Sequence, residues 1–142
     1  MHDRMKASFA VAAIALLAGA GCNKNTTAAT TTTSTVTRTT DTFSGTVPIG
    51  GSAFHSFAVT VTGTIDVTLT VATPPPAIVM GLSVGTLADG TCTALVGASV
   101  KAPAGASTQL SGMASPGTLC VEVHDVGNQS APVNYTVIVV HP

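Results

Sequence analysis

The sequence has no tryptophan, one tyrosine and four phenylalanines, so aromatic mass can dominate neither a core nor a binding platform. Charge is scarce as well. Only 8% of residues are charged, against roughly a quarter in an average soluble protein, and the formal net charge is -1. Beyond the first few residues the basic side chains are Lys24, Arg38 and Lys101. That excludes the clustered Lys and Arg on which phosphate binding depends, and no nucleic-acid partner is expected. No apolar run reaches the roughly 20 residues of a spanning helix. After residue 20 no window of ten or more residues carries a helical period.

What remains is a chain of 142 residues with 45% hydrophobic content, enough for one packed domain. Its polar residues are mostly Thr and Ser. Threonine is β-branched and favours strands over helices.

Residues 7–20 read ASFAVAAIALLAGA, an apolar stretch of the length of an export signal. Arg4 and Lys6 supply its positive flank, and a start at Met5 gives the more typical signal. The stretch ends in Ala18-Gly19-Ala20-Gly21-Cys22. This resembles a bacterial lipobox, with Gly19 where Leu is usual. The resemblance implies cleavage after residue 21 and acylation of Cys22. The acyl chains would exceed the two signals needed for stable anchoring. Asn23 follows the cysteine and points to the outer membrane.

Residues 22–40 read as a tether. Ten of the fifteen residues from 26 to 40 are Thr, with no apolar face at either period. Such a segment cannot offset the entropy of ordering. Its hydroxyl density also fits an O-glycosylated stalk, and the plain spacer is preferred.

From residue 41 to 142 the pattern becomes short alternating segments separated by Gly and Pro. Strands are predicted at 42–47, 54–62, 64–71, 77–84, 92–98, 108–112, 118–124 and 133–140. Phe57, Val59 and Val61 share one face of the second strand. Ile65, Val67, Leu69 and Val71 point inward from the third, with Asp66 and Thr68 toward solvent. Pro74-Pro75-Pro76 should form an extended polyproline loop. Asp89-Gly90 should close a hairpin. The fold class expected is all-β, an antiparallel, jelly-roll-like β-sandwich of about eight strands.

Two blocks carry a family resemblance. One is Asp41-Thr-Phe-Ser-Gly-Thr-Val, then Gly50-Gly-Ser with Phe57 downstream, then Gly63-Thr-Ile-Asp-Val-Thr-Leu69. The other is Pro116-Gly-Thr-Leu-Cys120-Val-Glu-Val-His-Asp125-Val-Gly-Asn128, then Pro132-Val-Asn-Tyr-Thr-Val. Together they resemble the bacterial pre-peptidase C-terminal domain. That family has a Gly-Thr-Tyr-x-Val-x-Val penultimate strand and a Tyr-x-Leu-x-Val final strand. Leu119 stands here for the usual Tyr and Val137 for Leu. The resemblance covers 41–142 and implies a jelly-roll-like sandwich that accompanies secreted enzymes. It supplies no catalytic residues.

Gly81-Leu-Ser83-Val-Gly85 matches the serine-hydrolase pattern. That motif needs a strand–turn–helix elbow, and a hairpin turn follows instead, so Ser83 is not expected to be catalytic. His55, His124 and His141 lack metal-ligand spacing and read as strand-edge or surface residues. No metal or cofactor is expected. Asp89, Glu122, Asp125 and Asn128 form a possible calcium or ligand loop set. Asp125 and Asn128 are also ordinary turn residues. The phenylalanines and Tyr135 sit mostly on inward parity, which disfavours a sugar-stacking platform. A loop site for a glycan stays open.

With Cys22 acylated, Cys92 and Cys120 form an even pair in an exported domain, which reads as a disulfide. Cys120 alternates with Leu119, Val121 and Val123, so the bridge should staple the outside of a sheet. The expected protein is a non-enzymatic, envelope-anchored sandwich, bound to the membrane through its lipid, with an interaction or structural role. The alternatives are a loop-based module for glycan or Ca²⁺, or an accessory domain of secreted enzymes.

Overall fold

The computed structural model describes residues 35–142. The expected signal at 1–21, the lipidation of Cys22 and the tether up to residue 34 lie outside the described residues. The described chain is all-β. Its strands are β1 (Thr39–Val47), β2 (Ser52–Val59), β3 (Gly63–Thr73), β4 (Val79–Ala88), β5 (Thr91–Pro103), β6 (Leu110–Ala114), β7 (Gly117–His124) and β8 (Val133–His141).

They form two antiparallel four-stranded sheets. The first has the order β1-β8-β3-β6 and the second β2-β7-β4-β5. Only β4 and β5 are joined as a hairpin within one sheet. Every other connection crosses between sheets, which gives the jelly roll. The β4–β5 turn is Asp89-Gly90, with φ of 51° and 73°. Two left-handed residues in succession match the twist of the flanking strands.

The alternation read from the sequence fills the space between the sheets. Val47, Phe57, Val67, Leu69, Met80, Leu82, Val121, Val137 and Val139 all belong to one buried cluster. Tyr135 is buried among them and its hydroxyl meets His55 Nε2 at 2.7 Å. Burial raises the Tyr135 phenol above its ordinary pKa and lowers the His55 imidazole below its own.

The structure departs from these expectations at three places. Val71 is 42% exposed, because a bulge between Leu69 and Val71 shifts the parity and buries Ala72 instead. Val61 lies past the end of β2 and is exposed, so it does not share the buried face of Phe57 and Val59. The proline segment is no extended loop. The Thr73–Pro74 and Pro74–Pro75 bonds are cis, and Ile78 N–H donates to Pro75 O at 3.3 Å, closing a turn.

The domain also begins earlier than the composition shift indicates. Thr39 and Thr40 pair with His141 and Val140. The Arg38 guanidinium donates to Thr64 O, Asp66 Oδ2 and Val140 O at 2.9, 2.7 and 2.9 Å. Those residues are the root of the first strand rather than the end of a spacer.

Candidate functional site: the second sheet and its open edge

Strand register places the side chains of the second sheet's outer face in rows. One row runs Ser52, His124, Gly81, Lys101 from β2 to β5. The next runs Phe54, Glu122, Ser83, Ser99. A third runs Ser56, Cys120, Gly85, Ala94. The inward residues between them belong to the core, so these positions face away from it.

Two glycines shape this face by close approach. A Cβ on Gly81 would stand 2.0 Å from His124 Nε2, so the imidazole lies against the bare β4 backbone. A Cβ on Gly85 would meet Thr93 O at 2.2 Å. Beside Gly85 the disulfide links Cys92 of β5 to Cys120 of β7, with Cα atoms 5.9 Å apart. The bridge lies outside the core cluster, as parity requires, yet Cys120 is fully shielded from solvent and Cys92 nearly so.

Ser83 sits in the middle of β4, with no turn or helix after it. Its neighbour in register is Glu122, and His124 is diagonal to it. No hydrogen bond links the three side chains, and Ser83 is buried at 3% exposure. The histidines differ from their expected surface positions. His141 is 4% exposed, bonded to Asp41 Oδ2 at 3.0 Å and packed on Phe57. His55 faces inward and stacks on Phe43, with centroids 4.8 Å apart. Only His124 is on an outer face.

The possible calcium set does not come together. Asp125 Oδ1 accepts from the backbone N–H of Gly127, Asn128 and Gln129 at 2.8, 3.2 and 3.3 Å. Its Oδ2 accepts from Gly50 N–H at 2.7 Å. The Gly50 bond, first, and those loop amides hold the carboxyl below its ordinary pKa. It works as a clasp between the β1–β2 turn and the β7–β8 loop. Asn128 Nδ2 donates to Val79 O at 3.0 Å. Asp89 is at the opposite end of the sheet, since Thr86 pairs with Leu119 and Gly81 with His124. The separation is roughly 30 Å at about 3.3 Å per residue. Among the described residues no three His, Cys, Asp or Glu side chains could share a metal ion.

Phe54 is the residue the sequence reading missed. It is 40% exposed on the outer face, beside Ser52, Ser56 and Ala58. The signal was its parity, opposite to that of Phe57.

The sheet's edge has a second feature. Ser83 pairs with Ser99 and Gly85 with Ala94, so residues 95–98 stand opposite the single Val84. They form a wide bulge within β5, with Gly97 at φ 77°. Between this bulge and β6 runs an apolar groove of about 250 Å³, walled by Leu95, Val96, Leu110 and Met113 and floored by Val84 and Leu119. Val96 is fully exposed and Met113 is 71% exposed. β6 is the last strand of its sheet, so one side of its backbone has no strand beside it.

No protein-family model and no curated protein matches this chain.

Proposed function

We propose that the protein is a non-enzymatic, envelope-anchored β-sandwich whose role is interaction, and that it holds a partner's extended segment at the β5–β6 edge. The observation that carries this reading is the groove itself. It joins exposed Leu95, Val96 and Met113, which line one groove together, to a bare strand edge. Contiguous exposed apolar surface of this kind marks interaction sites. An added strand gains main-chain hydrogen bonds from β6 and places every second side chain in the groove. The lipobox-like run Ala18–Cys22, the threonine tether and the resemblance to a secreted accessory domain support an anchored module. The absence of a bonded nucleophile and base at Ser83 supports a non-catalytic one.

The test is selection of a peptide library on the full chain. Selected peptides should alternate apolar and polar residues, slow amide exchange in β6, and lose binding to Met113→Glu. Peptides that bind Met113→Glu equally well, or that protect another edge, would overturn the assignment. Cys22→Ala should move the protein out of the membrane fraction; unchanged partition would remove the anchor.

A further inference from the structure

The seven formally charged side chains among the described residues are not used alike. Arg38 and Asp66 pair with each other, Asp41 pairs with His141, and Asp125 is spent on backbone amides. Asp89 sits in a tight turn. The two that remain, Lys101 and Glu122, are both on the outer face of the second sheet, and neither has a hydrogen-bond partner within the described residues. His124 on the same face makes no side-chain hydrogen bond among the described residues either, while Ser83 between them is buried at 3% exposure. Phe54 stands beside Glu122 in register, where its small neighbours offer little surface to bury it.

From this juxtaposition we infer that the outer face of the second sheet is a binding platform for a neutral oligosaccharide, lying across the strands from Phe54 to Lys101. The chemistry fits in three respects. An exposed ring can stack on the apolar face of a sugar while nearby groups reach its hydroxyls. Glu122 accepts, Lys101 donates, and Ser99 and His124 can each do either, which suits hydroxyls that are donor and acceptor at once. One carboxylate balanced by one ammonium favours neither a polyanion nor a polycation. Adjacent strands are about 4.8 Å apart, so the strip from β2 to β5 spans roughly 14 Å, a short oligosaccharide rather than one ring. The site is separate from the β5–β6 groove and does not depend on it. It is also distinct from the loop site that the sequence left open as an alternative.

The experiment is amide and methyl NMR of the full chain, titrated with hexasaccharides of glucose, N-acetylglucosamine and xylose. The expected result is shift changes in β2, β7 and β4 for at least one of them, with saturable binding. Phe54→Ala should weaken that binding about tenfold or more, as loss of an aromatic anchor does, with an unchanged melting temperature. Glu122→Gln and Lys101→Ala should each weaken it by a smaller factor. No binding by any of the three sugars, shifts confined to the β5–β6 groove, or binding unaffected by Phe54→Ala would each overturn the platform.

Discussion

On the outer face of the first sheet, polar side chains bond to one another. Ser44 Oγ meets Thr136 Oγ1 at 2.9 Å, Thr46 Oγ1 donates to Asn134 Oδ1 at 2.7 Å, and Ser111 Oγ donates to Asp66 Oδ1 at 2.6 Å. On the outer face of the second sheet, Lys101, Glu122 and His124 form no such bonds among the described residues, Ser83 is buried, and the one strong tie there is covalent, Cys92 to Cys120. The same poor supply of charge has been divided. One face uses its polar groups for cohesion, and the other is held by a bridge and leaves its polar groups open to a ligand. A polar group already bonded inside the molecule contributes to stability, whereas an uncommitted one is free for recognition at little cost to the fold.

The comparison breaks most visibly at the bridge. Cys92→Ser with Cys120→Ser opens a link spanning 28 residues. Unfolding in urea should show a loss of roughly 3–4 kcal/mol with the same strand content by circular dichroism. A loss near zero would mean that the second sheet does not depend on its bridge.

Arg38→Ala probes the other face. It removes three hydrogen bonds across the root of β1, and the ion pair is partly exposed, so the expected loss is about 1 kcal/mol after screening. The same variant changes the response to acid. Ser111 first, then Arg38, hold the Asp66 carboxyl below its ordinary 3.8. A lowered folded pKa gives stability that is present above that value and lost as pH falls through the folded one. Wild type should therefore lose stability below about pH 4, and Arg38→Ala should lose less over the same range. Parallel pH profiles would show that the pair has no role in acid sensitivity.

The smallest effect is the sharpest one. Glu122→Gln on the open face should change stability by less than about 0.5 kcal/mol, because no bond is broken. A larger loss would show that this face too is committed to the fold.

Much of this was legible in the chain. All eight strands overlap the segments that alternation and turn residues mark, because burial on one face imposes a period of two, although β2 ends at Val59 rather than 62 and β5 runs on to Pro103 rather than 98. The Asp89-Gly90 hairpin was legible for an equally local reason, and the Cys92–Cys120 pair because two cysteines remain once Cys22 is set aside. Val71 was not, since a bulge at the next residue back reverses parity without leaving a mark in hydropathy. Nor was the early start of the domain. Arg38 sits in a threonine run that resembles a spacer, and its partners Thr64, Asp66 and Val140 are distant in sequence. The groove depends on the bulge at residues 95–98 in β5, where the sequence offers only a single glycine as a hint. The rows on the second sheet come from pairing β2 with β7 and β7 with β4, which no local pattern encodes.

That pairing also governs time. β1 hydrogen-bonds to β8, so Val47 waits for Val133 and Thr39 for His141. Synthesis delivers β1 first, and until β8 has emerged β1 has no strand beside it in its sheet. Helical proteins can settle piece by piece, but a chain closed by its two ends condenses late and all at once. Its folding should accordingly fall in the millisecond-to-second range typical of non-local β topologies. During that interval the valine-rich strands are bare, and the sparse charge that leaves the native surface so neutral offers them little electrostatic protection from one another.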